Sequence, residues 1–440
     1  ELPETTPAAL PPKLQFAGTA PKDGGFVIER ASLDGANLRA GAKGAMSRFE
    51  ALNIDFEAVA RGPYTFGSLE LTGETEAFGK IAGTRTAPRV SVQAKAPGAK
   101  AGGVALSDVV LEADIPNVSK NLAGRATLSA TARGERIDAS TNFVSNKSRI
   151  ALTDLNAKWN GGAVTGALNV GGNAPIDGRL EANGSVAPFI DGSGTAKASL
   201  RLSNQQGKQG LDLDADARDL TINAAKTALD RVTVSLKRTT EAMNLNASVR
   251  GWADRPFTVK ATGPISLRDG SQRASLTIDG RYGRDVIASK GPIEIAMTPD
   301  TFDATGGLTV GAGAFDVNWR RKGDALDAKL AMTKAPARLL GFLSPRFRLG
   351  GDISGNVTLT GSRSALRGDG RIDLNNLGPD GAEGSGLNGA LTFALLDGRI
   401  RANLDAKSDN GLFIKGDADV PASAAAQPFK IAFDPNAKAS

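Results

Sequence analysis

The feature that most constrains this chain is a strict alternation of apolar and polar residues in many short segments. Residues 211–218 read Leu-Asp-Leu-Asp-Ala-Asp-Ala-Arg, so that every odd position is apolar and every even position is charged. Residues 232–237 and 243–250 alternate in the same way. Successive side chains of a strand point to opposite faces, so this period of two indicates strands with one apolar and one polar face.

Turn signals separate these segments. Asn-Gly and Asp-Gly pairs tolerate the positive φ angles of tight hairpins, and the spacing leaves room for on the order of 30 strands. An open twisted sheet rarely exceeds about ten strands without curling or splitting. The sequence therefore predicts an all-β chain, with under about a tenth of helix, that curls into a trough, closes into barrels or winds into a solenoid. The pairs are Asp23-Gly24, Asn160-Gly161, Asp177-Gly178, Asn183-Gly184, Asp269-Gly270, Asp279-Gly280, Asp397-Gly398 and Asn410-Gly411.

Three regions are predicted along the chain. Residues 1–13 indicate a Pro-rich linker, residues 14–420 one continuous elongated β-sheet, and residues 421–440, rich in Ala and Ser, a less ordered end. Helix is expected over residues 335–343, whereas residues 223–231 suit either a short helix or a strand with an irregular loop. No apolar run approaches the roughly 20 residues that span a bilayer. We interpret the chain as a piece of a longer protein whose membrane anchor lies outside these residues.

The composition argues against most catalytic chemistry. The chain has no histidine and no cysteine, which removes the usual neutral-pH base, thiol nucleophiles and the commonest zinc ligands. Asp212, Asp214 and Asp216 could serve acid–base or calcium chemistry, but their alternation with apolar residues indicates a solvated strand face. Neither a phosphate-binding loop nor a Ser-x-x-Lys pair occurs in the sequence. We therefore expect no enzyme activity, no metal and no cofactor.

The alternation also defines a candidate apolar stripe. Aromatic residues make up only 5% of the chain, too few to fill a sealed core to a packing density near 0.74. We therefore expect an open, concave groove, in which acyl chains would gain about 0.8 kcal/mol per buried methylene. Asp212, Asp214, Asp216, Asn244, Asn246 and Lys329 should point to water. The candidate lipid-groove residues are Leu211, Leu213, Val232, Val234, Leu236, Met243, Leu245, Val249, Leu326, Leu330, Met332, Val357, Leu359, Ile372, Leu374, Leu391 and Phe393.

One basic segment stands apart from the rest. Lys334, Arg338, Arg346 and Arg348 are interleaved with leucine and phenylalanine, and no acid occurs among residues 334–348. The segment suits either contact with lipid headgroups or a partner groove, or a short helix at a sheet edge with its basic side in water. The net charge of +6 permits contact with anionic lipid or nucleic acid without requiring it. No nucleic-acid partner is expected.

A glycine-punctuated rhythm accompanies the alternation. Residues 347–374 contain Leu-Gly-Gly-Asp-Ile-Ser-Gly-Asn-Val-Thr-Leu-Thr-Gly, and residues 148–170 and 176–202 show the same texture. This pattern resembles the Leu-x-Gly-x-Leu-x-Gly-x-Leu-x-Leu-x-Gly rhythm of TamB and its AsmA-like relatives. The resemblance covers most of residues 14–420 and is best over 335–406. The N-terminal membrane helix and the C-terminal module of that family are not among these residues.

The resemblance implies a taco-like β-sheet in the periplasm of a Gram-negative bacterium, tethered to the inner membrane through a segment not present here. It further implies a hydrophobic groove that carries phospholipids between the inner and outer membranes. An outer-membrane β-barrel partner, acting in protein translocation and barrel assembly, is implied as well. The expected function is a non-enzymatic intermembrane bridge for lipid transport, outer-membrane biogenesis, or both.

Two other functions share parts of this pattern. A β-solenoid passenger or adhesin stalk would also be Gly-rich and all-β, but such passengers are poor in Lys and Arg, which together supply 53 of the 440 residues here. Side-chain ladders at a fixed period of about 20 to 25 residues are not found in the sequence. A chaperone-like scaffold that pairs its sheet edge with incoming barrel strands would have the same fold as the lipid groove.

Overall fold

The computed structural model describes residues 13–433, apart from 23, 67–68, 102, 119–121, 147, 172–174, 206–207, 223–226, 239–242, 254, 269, 343–348, 363–364, 380–385, 397, 409–410 and 427–428. Contacts between Cα atoms divide the chain into two units. Unit 1 comprises Glu1–Ala217 and Thr221–Ala224, and unit 2 comprises Arg218–Leu220 and Ala225–Ser440.

Unit 1 is a meander of antiparallel strands. The strands are β1 (Lys13–Thr19), β2 (Gly25–Asp34), β3 (Leu38–Ser47), β4 (Ala51–Arg61), β5 (Tyr64–Phe66), β6 (Leu69–Thr72), β7 (Glu74–Thr84), β8 (Ala87–Ala101), β9 (Val104–Ile115), β10 (Leu122–Ala132), β11 (Glu135–Asn146), β12 (Arg149–Trp159), β13 (Gly162–Val170), β14 (Asp177–Ser185), β15 (Gly192–Gln205) and β16 (Lys208–Ile222), the last shared with unit 2. One detour interrupts the meander. β4 pairs with β7, and the intervening β5–β6 hairpin pairs with β8 through β6.

Unit 2 continues the same pattern. Its strands are β17 (Thr227–Arg238), β18 (Met243–Trp252), β19 (Pro256–Arg268), β20 (Ser271–Tyr282), β21 (Asp285–Ser289), β22 (Ile293–Met297), β23 (Thr301–Val310), β24 (Gly313–Lys322), β25 (Ala325–Pro336), β26 (Leu349–Ser362), β27 (Ala365–Pro379), β28 (Leu387–Leu396), β29 (Arg399–Ser408), β30 (Phe413–Ala426) and β31 (Phe429–Phe433). A 3-10 helix, Ala337–Phe342, lies between β25 and β26. β21 and β22 share the space of one strand, since each pairs with both β20 and β23.

The structure confirms the predicted all-β class. Strands cover 84% of the residues that the structure describes, and every strand pairing that it describes between β1 and β31 is antiparallel. Of the helix expected over residues 335–343, Ala337–Phe342 forms a 3-10 helix, whereas Ala335 and Pro336 belong to β25. β17 occupies the second candidate helical segment from Thr227 onward. Residues 1–12, 427–428 and 434–440 lie outside the description, whereas residues 421–426 and 429–433 belong to β30 and β31. The division into a linker, a continuous sheet and a less ordered end stays a prediction.

Three of the predicted turn signals are wrong. Asn160-Gly161 does form the turn between β12 and β13, but the pairs at 177–178 and 183–184 lie within β14, and Asp279-Gly280 lies within β20. At Gly280 a Cβ atom would lie 2.2 Å from the carbonyl oxygen of Thr258 on the neighbouring strand. Glycine is required there by the close approach of two strands, which a sequence pattern does not distinguish from a turn.

Acidic or amide residues with positive φ mark β-bulges. Asp154 has a φ of 52° where the β12–β13 register shifts between Leu152 and Leu155. Asn376 has a φ of 51° where β27 shifts against β28. Asp and Asn adopt this conformation more readily than other residues with a side chain. The extra residue keeps Leu152 and Leu155 on one face although they are three positions apart, so the apolar face continues through the break in alternation.

Large aromatic side chains lie over cross-strand glycines. In each of five directly opposed pairs, a Cβ atom added to the glycine would fall 2.3 to 3.0 Å from a ring atom of its partner. The ring thus lies against the sheet instead of projecting from it, which shields glycine backbone and favours one register. The pairs are Phe56 with Gly79, Phe143 with Gly124, Trp159 with Gly162, Phe257 with Gly251, and Phe393 with Gly370.

The substitution Gly355→Ala tests how closely the strands of unit 2 are packed. Gly355 has a φ of +154°, and its Cβ would lie 2.0 Å from the carbonyl oxygen of Arg371. We expect destabilisation by about 1–3 kcal/mol, measured as a lower midpoint in the thermal loss of the far-ultraviolet strand signal. Gly416→Ala is the matched control, because no atom lies within 4 Å of its added Cβ. Equal midpoints for the two variants would contradict this packing.

Candidate functional site

The strand register of unit 2 defines one apolar face. Direct cross-strand partners lie on the same face, so one transverse row can be followed from β18 to β30, with β22 as the strand between β20 and β23. No charged residue occurs in this row. It consists of Met243, Ile265, Ala274, Ile295, Ala304, Trp319, Ala328, Leu359, Gly368, Leu395, Ile400 and Val420.

Most of the candidate groove residues lie on this face. Leu211 and Leu213 lie on β16, where they are half-buried and alternate with the exposed Asp212 and Asp214, whereas Asp216 is half-buried. Asn244, Asn246 and Lys329 are exposed on the opposite face. The residues on the apolar face are Val232, Val234, Leu236, Met243, Leu245, Val249, Leu326, Leu330, Met332, Val357, Leu359, Ile372, Leu374, Leu391 and Phe393. Their use as a lipid-groove lining stays a prediction.

The apolar face of unit 2 is only partly covered. Met243 and Leu326 are buried, but Leu330 and Val357 are half-buried, and Val317, which stands opposite Leu330, is 40% exposed. Part of the apolar face is therefore accessible to solvent.

Two buried clusters flank the partly exposed rows. At one end of the strands, Leu326, Ala328, Leu366 and Leu395 pack together. At the other end the cluster is built from Ala335, Ala337 and Ile353, where the 3-10 helix contacts the sheet. The sheet also curls, because β27 and β30 have Cα atoms within 8 Å of each other, whereas a flat sheet would keep strands three places apart at about 14 Å.

A buried ion pair holds the 3-10 helix against this face. Asp285 stands opposite Tyr282, on the same face as Phe257, and its side chain is 8% exposed. The guanidinium of Arg338 donates hydrogen bonds to both carboxylate oxygens of Asp285, and this contact raises the pKa of Arg338. Of the predicted headgroup or partner contacts, Arg338 is therefore engaged in an internal ion pair.

The other residues of that basic segment are placed differently. Lys334 is exposed and has a φ of 46° at the bulge of β25. Arg346 and Arg348 lie outside the described residues. Headgroup or partner contact by Lys334, Arg346 and Arg348 stays a prediction.

The polar face of unit 1 carries alternating charges. Lys43, Asp55, Lys80, Ser91, Asp114, Arg125 and Asn142 form one directly paired row from β3 to β11. A cavity of about 1130 Å³ opens on this face and is lined by the first six of these residues and their neighbours. Asp114 also accepts hydrogen bonds of 2.9 and 2.8 Å from Arg89. Because opposite charges face one another, the cavity has little net charge with which to attract an ion.

Within the part of the chain that the structure describes, no group of three or more acidic side chains is arranged to hold a metal ion. Among the same residues, no helix combines the length and apolar character that a membrane crossing requires.

Comparisons with protein-family models, curated proteins and solved structures give no match to this chain. The fold and the apolar face are therefore established by the structure alone. The resemblance to TamB and its AsmA-like relatives stays a prediction.

Acid should weaken one polar contact of unit 1. Asp177 accepts hydrogen bonds from Asn169 at 2.6 Å and from Arg149 at 2.7 Å, and these contacts lower its pKa. The stabilisation is fully present above the unfolded-state pKa of about 3.9 and is lost as pH falls through the lower folded-state value. Thermal midpoints measured from pH 7 to pH 2.5 should fall less below about pH 4 in Asp177→Asn than in the parent. Identical curves for the variant and the parent would contradict the assignment.

Removing Arg338 should leave a buried, unpaired carboxylate. We expect Arg338→Met to destabilise unit 2 by about 3 kcal/mol, because breaking one side of a buried ion pair costs about 3–5 kcal/mol and Arg338 is itself 31% exposed. The double variant Asp285→Leu/Arg338→Met should recover most of that loss. Urea unfolding followed by circular dichroism measures both. If the double variant is no more stable than the single one, the ion pair does not account for the effect.

Proposed function

We propose that this chain is a non-enzymatic lipid-binding bridge whose apolar sheet face holds phospholipid acyl chains. The observation that carries the proposal is the continuous apolar face of unit 2, which remains only partly covered. One row of this face consists of Val317, which is exposed, and of Leu330, Val357 and Phe393, which are half-buried. Each methylene placed on such a surface is stabilised by about 0.8 kcal/mol.

The character of the surface suits movement along it better than tight binding. Aliphatic side chains and rings that lie over glycines, such as Phe393 over Gly370, produce a smooth floor without specific hydrogen-bonding groups. Binding sites that recognise one small molecule place a few polar groups in a concave pocket. The apolar face lacks this feature along the row from Met243 to Val420. A periplasmic bridge between the inner and outer membranes would use such a surface to pass phospholipids along it.

A second candidate function is support for the assembly of outer-membrane β-barrel proteins. The exposed strand β1 favours it, since all seven of its residues are exposed and it pairs with β2 alone among the described strands. Leu14 and Phe16 are 75% and 60% exposed. An edge of this kind can accept a further strand. The antiparallel pairing disfavours the third candidate, a β-solenoid adhesin or passenger, in which rungs stack in parallel.

The lipid groove is tested with a charge on the apolar face and the same charge on the other face. Leu245 is half-buried opposite Leu236, whereas the next residue, Asn246, is exposed. We expect Leu245→Asp to fold like the parent and to lower binding of a fluorescent phospholipid at least about tenfold, because a carboxylate against acyl chains is strongly disfavoured. Asn246→Asp is the matched control and should bind lipid like the parent.

Three outcomes separate the alternatives. Equal lipid binding by both variants would overturn the groove, and so would unfolding of Leu245→Asp, since a sealed core does not tolerate a lone charge. Leu359 is a poorer position for this test because it packs against the buried Leu326 cluster. Protein that binds no lipid and still accelerates the folding of a β-barrel substrate would favour the assembly function.

A further inference from the structure

The polar face of unit 2 contains like charges in direct opposition. Arg231 on β17 stands opposite Arg250 on β18, and the row continues through Thr258 to Arg281 on β20. The polar row of unit 1, by contrast, alternates positive and negative residues. Like charges directly opposed across a sheet are destabilising. Since Arg231 has an interaction within the chain, the charges of this row that are left to an anion outside the chain are those of Arg250 and Arg281.

An exposed tryptophan lies beside this row. Trp252 follows Arg250 by two positions on β18, so the two side chains share the polar face, and Trp252 is 55% exposed. The other two tryptophans are engaged elsewhere: Trp159 donates a 2.7 Å hydrogen bond to Ser185, and Trp319 packs against a buried cluster. Val286, directly opposite Arg281, is 52% exposed. Arginines and exposed apolar groups thus lie together at one end of β18–β21.

Two acids of β20 and β21 are placed away from direct opposition to these arginines. Asp279 stands opposite Lys260 in the next row, and Asp285 pairs with Arg338 on the other face. Arg231 and Arg255 each have an interaction within the chain. Arg250, Arg281 and the exposed turn residue Arg284 form no ion pair with any residue that the structure describes. The positive charge of these three side chains is available to a partner.

We propose that Arg250, Trp252, Arg281, Arg284 and Val286, here called the Arg–Trp patch, dock on an anionic phospholipid bilayer. Guanidinium groups bind phosphate through paired N–H donors, and tryptophan is enriched at membrane–water interfaces because one side of its ring is apolar. A phosphate ion in water would satisfy the arginines but would leave Trp252 and Val286 without a role. The patch is on the face opposite the apolar stripe, so the inference does not depend on the lipid groove.

Vesicle sedimentation tests the patch directly. The chain is mixed either with vesicles of phosphatidylcholine alone or with vesicles that also contain phosphatidylglycerol. A fraction of about 30% of this anionic lipid gives the vesicle surface a negative potential. We expect binding to the anionic vesicles, a loss of about fivefold per arginine in Arg250→Gln and Arg281→Gln, and a loss of about tenfold in Trp252→Ala. Raising the salt from about 0.1 to 1 M should weaken binding, because the Debye length falls from about 10 to 3 Å.

Arg320→Gln is the matched control. Arg320 is exposed on the same face but stands opposite Asp303 and Asp327, so its loss changes net charge without touching the patch. An equal loss in Arg320→Gln would show that net charge alone is responsible and would overturn the proposal. So would equal binding to neutral and anionic vesicles.

Trp252 separates a bilayer from a soluble partner. If the arginine variants lose binding and Trp252→Ala does not, the arginines meet a soluble anion or an acidic protein, and the bilayer is excluded. Leu245→Asp should keep parental binding to vesicles even where it loses phospholipid from the groove. The two proposals can therefore fail separately.

Discussion

Contact between neighbouring strands is the interaction on which this protein depends. A globular domain buries its apolar residues between two layers, whereas here much of the apolar face of unit 2 is half-exposed, so hydrophobic burial alone cannot hold the sheet together. The backbone hydrogen bonds between strands, and the contacts between side chains that are directly opposite each other, supply the rest of the stability. Phe393, which lies over Gly370, contributes in two ways. Its ring shields the backbone of the neighbouring strand, and it favours one register between β27 and β28.

The same dependence explains why the two faces can differ so completely. In a single layer, a residue on one face meets its cross-strand neighbours and solvent, but no opposing sheet. The row from Lys43 to Asn142 in unit 1 can therefore consist of alternating charges, while the row from Met243 to Val420 in unit 2 is apolar throughout. A face that is apolar throughout that row, and only partly covered in the row through Val317, Leu330 and Val357, is suited to an apolar ligand. This is the basis of the proposed function.

Much of the fold could be read from the sequence, but the pairing partners could not. The alternation at residues 243–250 predicts which side chains share a face, because period two depends only on local geometry. Asp154 breaks the period, and only the register shows that Leu152 and Leu155 stay together. The sequence likewise does not predict that Arg231 lies opposite Arg250, because this depends on which residues of the two strands pair. The buried partner of Arg338 lies 53 residues away along the chain.

Because nearly every strand pairs with the strands that precede and follow it, the energetics of each unit approach those of a one-dimensional array. Folding can begin at any tight turn, such as Asn160-Gly161, and spread strand by strand, since each new hairpin needs only its neighbour as a template. Closing short loops costs little entropy. The same logic makes chain length adjustable: a pair of strands could be duplicated or lost without rebuilding a central core, and the span of the sheet would change while its cross-section stayed the same.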